Sequence, residues 1–315
     1  MSKRLMIGID AGGTKTKVLL GEEVDGQLRT IGEATGTGAN PRSIGFDAAF
    51  AVIEGTVRQA YVNAGIEFLT ADSSCFSVAG AGRPEERRRI LAWCAKQGLA
   101  MKSVAVGDAE CMLASLVGHS DGIAIVAGTG SMAWGRNAHG ETARAGGYGY
   151  LLGDEGSGYW IAARLLNHVC KLADTGHSLT TLVATVLDHL RLPDVQALIH
   201  WCYGASDPRS QIASLAPIVF DLYAQERVAA EIVHHGAREL ASLIIAVSNK
   251  LNMPPANYVL FCAGSVLVQQ ALYLDLVIAE LKFRHAKPEK FQLVADPVFG
   301  ALQIAWENRS TKTRL

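Results

Sequence analysis

Residues Leu5 to Ile9 are mostly apolar, the run stops at Asp10, and apolar alternation resumes from Lys15 to Leu20, with Ala11-Gly12-Gly13-Thr14 between them. A buried strand, a turn of small residues and a half-buried strand make a β-hairpin. Asp25-Gly26 is a further turn signal, and Gln27 to Ala34 predicts a third strand. The small-residue stretch TGTGANP, residues 35–41, reads as a loop. Ile44, Ala48, Ala51, Val52, Val57 and Ala60 then recur at helical spacing, with Asn40 or Ser43 available as cap. Ser74 to Ala79 predicts a strand, Pro84 the first turn of a basic helix, Lys102 to Val106 a strand, and Ala109 to Val117 an apolar helix.

At residue 122 the pattern starts again. Gly122 to Ala127 is an apolar strand that runs into Gly128-Thr129-Gly130-Ser131 and continues through Met132-Ala133-Trp134. A turn at 137–140 leads to a third strand from Glu141 to Ala145. Tyr258 to Cys262 is a strand, Val266 to Leu281 a helix, Phe291 to Val294 a strand, and Pro297 opens the last helix. An internal repeat of this size sets the fold. Two βββαβαβα halves imply two similar α/β domains with a cleft between them. The expected boundaries are 1–118 and 119–297, with the helix at 298–315 available to pack on the first half. Residues 174–235 break the repeat and read as a mainly helical insertion, either a cap or a dimer surface.

Composition narrows the partners. With 49% apolar and 19% charged residues the chain is globular, and its formal net charge of −1, without a basic stripe, argues against nucleic acid. No apolar run approaches the roughly 18 residues that span a membrane. The six cysteines (Cys75, Cys94, Cys111, Cys170, Cys202, Cys262) are scattered, without metal-site spacing, and read as reduced thiols of a cytoplasmic protein.

Candidate chemistry falls on the paired glycine turns, on two single residues, and on one long loop. Both glycine turns bring small residues and hydroxyls to a hairpin tip, and the first adds Asp10 and Lys15. Such a tip can be an ordinary tight turn, or a cradle whose N–H groups and Lys face a phosphate. Asp10, at a strand end, can hold a hydrated Mg²⁺. Asp108 follows a strand, where a reacting group and a helix N-cap are equally at home. Asn40 is likewise a cap or a ligand contact. The long loop is GGYGYLLGDEGSGYWIA, residues 146–162. Its acidic pair Asp154-Glu155 stands among Tyr148, Tyr150, Tyr159 and Trp160, which suits a sugar, whose C–H faces stack while its hydroxyls donate to carboxylate. The plainer alternative is a helix entry capped by Asp154 or Ser157.

Taken together, IGIDAGGTKTK, the ANPxSxG loop, VGDAE, GTGS, GGYGYLLGDEGSGYWIA, CAGS and PVFGA resemble the actin/hexokinase/Hsp70 superfamily. Within it they are similar to the N-acetylglucosamine and glucosamine kinase branch of the BadF/BadG/BcrA/BcrD ATPase family. The hairpins mark the superfamily; GDEGS is the specific signal. The resemblance implies duplicated actin-like (ribonuclease H-like) domains and an ATP-dependent kinase acting on the 6-hydroxyl of an amino sugar. N-acetylglucosamine is the first choice and glucosamine the alternative. By the same resemblance Gly12, Gly13, Thr14 and Lys15 form the first phosphate loop, and Asp10 holds Mg²⁺ through water. Thr129, Gly130 and Ser131 form the second loop, while Gly264, Ser265 and Gly236 border the adenosine. Asn40, Gly147, Tyr148 and Asp154 contact the sugar, and Asp108 serves as base. A partner-activating ATPase and a non-catalytic sensor are the competing functions. The dehydratase-activator branch carries cluster-binding cysteines, and none of the six here matches their placement. Tyr148-Gly149-Tyr150 stands where vertebrate-like kinases place Trp before Gly-His.

Overall fold

The computed structural model describes residues 4–13, 15–78, 84–107, 111, 114, 121–176, 180–253, 258–294 and 296–309. The chain forms two compact units, Met1–Ser120 with Asp296–Leu315, and Asp121–Ala295.

The first unit is built on a five-stranded sheet ordered β3-β2-β1-β4-β5. Its strands are β1 (Leu5–Ala11), β2 (Lys15–Val24), β3 (Gln27–Thr37), β4 (Ala71–Val78) and β5 (Ala100–Val106). β1 pairs antiparallel with β2 and parallel with β4, and β4 pairs parallel with β5. β1 has neighbours on both sides, which suits its nearly unbroken apolar run; Leu5, Met6, Ile7 and Ile9 are fully buried. One face of the sheet is covered by the helices Phe46–Asn63 and Pro84–Gln97. Met6, Leu19 and Cys75 face the other way, against Val298, Ala301, Leu302 and Ala305 of the helix Val298–Asn308. That helix lies close: a Cβ on Gly8 would stand 2.4 Å from the Leu302 backbone nitrogen.

The second unit repeats the plan. β6 (Gly122–Ala127), β7 (Ser131–Arg136), β8 (Thr142–Gly146), β9 (Val259–Ala263) and β10 (Lys290–Val294) are ordered β8-β7-β6-β9-β10. β6 is antiparallel to β7 and parallel to β9, as β1 is to β2 and β4. The duplicated α/β fold expected from the repeat is therefore present, strand for strand. Within the expected insertion the described residues form the short helices Thr181–Leu190, Ala197–Tyr203, Pro208–Ala213 and Ala216–Asp221, and its end enters the 24-residue helix Arg227–Lys250. Their apolar residues Leu182, Val183, Leu198, Leu215 and Val219 join the unit's own core, beside the helices Gly158–Asp174 and Arg227–Lys250.

Three local expectations change. β3 runs on to Thr37, because Thr35 and Thr37 continue the ladder opposite Lys17 and Lys15. The helix after Asn40 is broken at Gly45, whose φ of 81° ends the four-residue helix Pro41–Ile44, and neither Asn40 nor Ser43 caps the longer one. The helix from Val266 is two, Ser265–Gln269 and Ala271–Phe283, because Gln270 leaves helical geometry at φ −110°, ψ 83°.

Candidate active site

In the first unit the strand ends gather the candidate residues. β1, β4 and β5 are parallel, so their carboxyl ends coincide, and Asp10 stands opposite Ser77 and Ser77 opposite Val106. The Ser77 hydroxyl donates to Asp10 Oδ1 at 3.2 Å. Gly12 N–H donates to the Lys15 carbonyl at 2.9 Å and closes the first glycine turn. The Gly12 carbonyl accepts from Ala39 N–H at 3.0 Å, which stitches the Asn40 loop to that turn. The Asn40 carbonyl accepts the Ser43 and Ile44 N–H groups at 3.0 and 3.2 Å. Lys15 is exposed, and a Cβ added to Gly13 would touch nothing within 4 Å, so the turn tip faces open space. Thr14 and Asp108 lie outside the described residues; Val106 brings the chain to within two residues of Asp108.

One strand over, Lys17 forms an ion pair with Asp296, just before the C-terminal helix. The hydrogen bond to the Asp296 carboxylate holds the Lys17 ammonium above its ordinary value of 10.5.

The second unit ties its candidates into one bonded block. The second glycine turn closes through Gly128 N–H to the Gly130 carbonyl at 3.0 Å. Gly158 N–H, at the start of its helix, donates to the Gly128 carbonyl at 2.8 Å, and Gly147 N–H to the Ser131 carbonyl at 3.0 Å. Ser131 gives its N–H to Asp154 Oδ1 at 3.3 Å and its hydroxyl to the Glu155 carbonyl at 2.6 Å. The turn and the acidic loop are thus held together by four hydrogen bonds, which join Gly128 and Ser131 of the turn to Gly147, Asp154, Glu155 and Gly158. Asp154 adopts φ 61° and its side chain is only 3% exposed, with Arg209 Nη2 at 3.0 Å from Oδ2. Ser157 caps the helix that follows, accepting from Trp160 N–H at 3.2 Å.

Backbone proximity brings in the remaining positions. A Cβ on Gly264 (φ 90°) would lie 2.4 Å from the Ala127 carbonyl, and Ser265 N is 3.6 Å from the Cβ position of Gly128. A Cβ on Gly236 would meet Tyr273 Oη at 2.4 Å and Gly156 Cα at 3.3 Å. Tyr148 is exposed, with the Arg144 guanidinium 5.7 Å from its ring centre. Thr129, Gly130, Ser131, Gly147, Asp154, Gly236, Gly264 and Ser265 therefore belong to one neighbourhood of one unit. Arg209 and Tyr273, which reach it from other elements, are not legible in the sequence, and neither is Ser77, which meets Asp10 in the first unit. Only the Asp207-Pro208 start of the Pro208–Ala213 helix is visible in sequence, and it says nothing of what Arg209 touches.

For a divalent cation the first unit offers Asp10, half-buried and oriented by Ser77. Among the described residues no group of three or more His, Cys, Asp or Glu could hold a metal ion. A single carboxylate fits Mg²⁺ carried in with phosphate and its own waters. No described helix is long and apolar enough to cross a membrane.

The family model for the BadF/BadG/BcrA/BcrD ATPase family matches residues 7–305. The chain is 31% identical over 303 residues to the N-acetylmuramic acid/N-acetylglucosamine kinase of Clostridium acetobutylicum, covering 96% of this chain and 98% of that protein. It is 30% identical over 325 residues to the N-acetyl-D-glucosamine kinase of Dictyostelium discoideum, covering 98% and 100%. A crystal structure of a Chromobacterium violaceum protein, 24% identical over 95% of this chain and 98% of that one, aligns with a TM-score of 0.75 and shares the fold.

Proposed function

The chain belongs to the BadF/BadG/BcrA/BcrD ATPase family, and from that premise we propose that it transfers the terminal phosphoryl group of ATP to the 6-hydroxyl of N-acetylglucosamine. The observation that carries the proposal is the bonding of the second glycine turn to the acidic loop through Ser131, Asp154 and Glu155. A phosphate-type turn and a sugar-type carboxylate are fixed to each other there. Two relatives matched over nearly their full lengths are named as N-acetylglucosamine kinases, which supports the same substrate.

Phosphoryl transfer asks a protein for alignment and charge stabilisation more than for covalent chemistry. In this proposal the phosphates are held by Gly12, Gly13, Thr14 and Lys15 on the first turn and by Thr129 and Gly130 on the second. Ser131 shapes that second turn, since its N–H and hydroxyl hydrogen are already given to Asp154 and Glu155. Gly264, Ser265 and Gly236 border the adenosine. Asp10 would hold Mg²⁺ through water, and the ion would supply neutralisation of phosphate charge.

Asn40, Gly147, Tyr148 and Asp154 contact the sugar. The Asp154 carboxylate is engaged on both oxygens, yet each oxygen has a second lone pair for a sugar hydroxyl. Asp108 accepts the proton of the 6-hydroxyl as that oxygen bonds to the γ-phosphorus and the bond to ADP breaks. A coupled ADP-release assay with N-acetylglucosamine, glucosamine and glucose tests the assignment. The highest kcat/KM should fall on N-acetylglucosamine; glucose as the best acceptor, or no acceptor at all, would end it.

A further inference from the structure

Arg209 comes from the segment that has no counterpart in the first half of the repeat, and it reaches the second glycine turn. Its Nη2 donates to Asp154 Oδ2 at 3.0 Å, and the same carboxylate takes the Ser131 N–H on Oδ1. Contact with the turn itself is as close: a Cβ on Gly130 would lie 2.4 Å from Arg209 Nη2 and 2.8 Å from Asp154 Oδ2. The guanidinium therefore occupies the space that a side chain at position 130 would need. Arg209 Nε is buried and finds no hydrogen-bond partner among the described residues, so the bond to Asp154 is what holds the guanidinium.

The helix that presents it is fixed at both ends. Asp207 Oδ1 accepts the Ser210 N–H at 3.2 Å, Gln211 Nε2 donates to the Trp201 carbonyl at 2.9 Å, and Leu215 beyond it is buried in the core. A carboxylate as buried as Asp154 needs a counter-charge, because an isolated buried ion is strongly disfavoured. Arg209 supplies it, and what the carboxylate then orients is the N–H of a residue in the turn.

We propose that Arg209 is a positioning residue for the kinase reaction: through Asp154 it fixes the Gly130-Ser131 backbone in the conformation that receives the phosphates of ATP. The inference rests on the phosphate-binding role proposed for that turn and extends it to the insertion, which becomes part of the nucleotide site's support.

The test compares Arg209→Met, Asp154→Asn and the double variant in calorimetric titrations with ATP and with adenosine. Each single variant should weaken ATP binding by about tenfold or more, the loss expected for a charge-assisted hydrogen bond. Adenosine, which has no phosphates, should bind all three variants as it binds the parent protein. The double variant should be no weaker than the weaker single one, because both act through one interaction. Added guanidinium ion should restore ATP affinity to Arg209→Ala, an effect that a purely structural role would not produce.

Unchanged ATP affinity in Arg209→Met, or fully multiplicative losses in the double variant, would overturn the proposal. So would equal losses for adenosine and ATP. If the parent protein binds ATP but phosphorylates no sugar, the substrate assignment fails while this comparison still decides the role of Arg209. If it binds no ATP, both fall.

Discussion

Tyr273 donates its buried hydroxyl to the carbonyl of Gly156 at 2.8 Å, so the helix Ala271–Phe283 holds the acidic loop from inside the core. Burial also raises the Tyr273 hydroxyl far above its ordinary range, keeping it a neutral donor. Tyr273→Phe strands the Gly156 carbonyl and should cost about 1–3 kcal/mol in chemical denaturation of the second unit. A change below about 0.3 kcal/mol would mean that another donor takes its place.

Gly264 has no room for a side chain. A Cβ there would press on the Ala127 carbonyl carbon and oxygen at 2.4 Å, and φ of 90° is unfavourable for any L residue. Gly264→Ala should destabilise the second unit by more than about 2 kcal/mol and weaken nucleotide binding. Wild-type stability in this variant would show that β6 and the Gly264 turn can separate at little cost.

The Lys17–Asp296 pair gives an alkaline signature. The folded-state value for Lys17 lies above its ordinary 10.5, chiefly because of its hydrogen bond to Asp296. Its stabilisation is therefore fully present below 10.5 and is lost as pH rises through the higher folded value. The melting temperature of Asp296→Asn should lie below that of the parent at neutral pH, with the gap closing above that value. A gap that stays constant through the alkaline range would remove the ion pair as its cause.

Asp108→Asn removes the proposed base without changing side-chain size. Turnover should fall on the order of 10²–10⁴-fold while sugar binding is largely kept. Near-normal turnover would return Asp108 to the role of helix cap.

What was legible in the sequence follows from periodicity. The apolar run at 5–9 and its echo at 122–127 mark the central strand of each sheet, and the Gly/Thr turns after them fix the first hairpin of each unit. Repetition then gives the strand order, because the tails repeat as well. The helix breaks at Gly45 and Gln270 were not legible, since apolar spacing continues across both while the backbone angles change. Ser77 meets Asp10 through the register of two parallel strands 67 residues apart, which neither strand encodes alone. Asp154 was visible as an acid in a glycine-rich loop, but its burial depends on Arg209, 55 residues away in a segment without a repeat to guide it. Gly8 carries no signal in its strand; its need for glycine comes from Leu302 at the other end of the chain.

The most direct measurement is phosphorus–proton correlation NMR on the product formed from ATP and N-acetylglucosamine by the purified protein. The reaction should give one ADP per sugar consumed and a phosphomonoester whose phosphorus couples to the protons on carbon 6. A phosphate coupled to the anomeric proton, or ADP released with inorganic phosphate and no sugar ester, would contradict it.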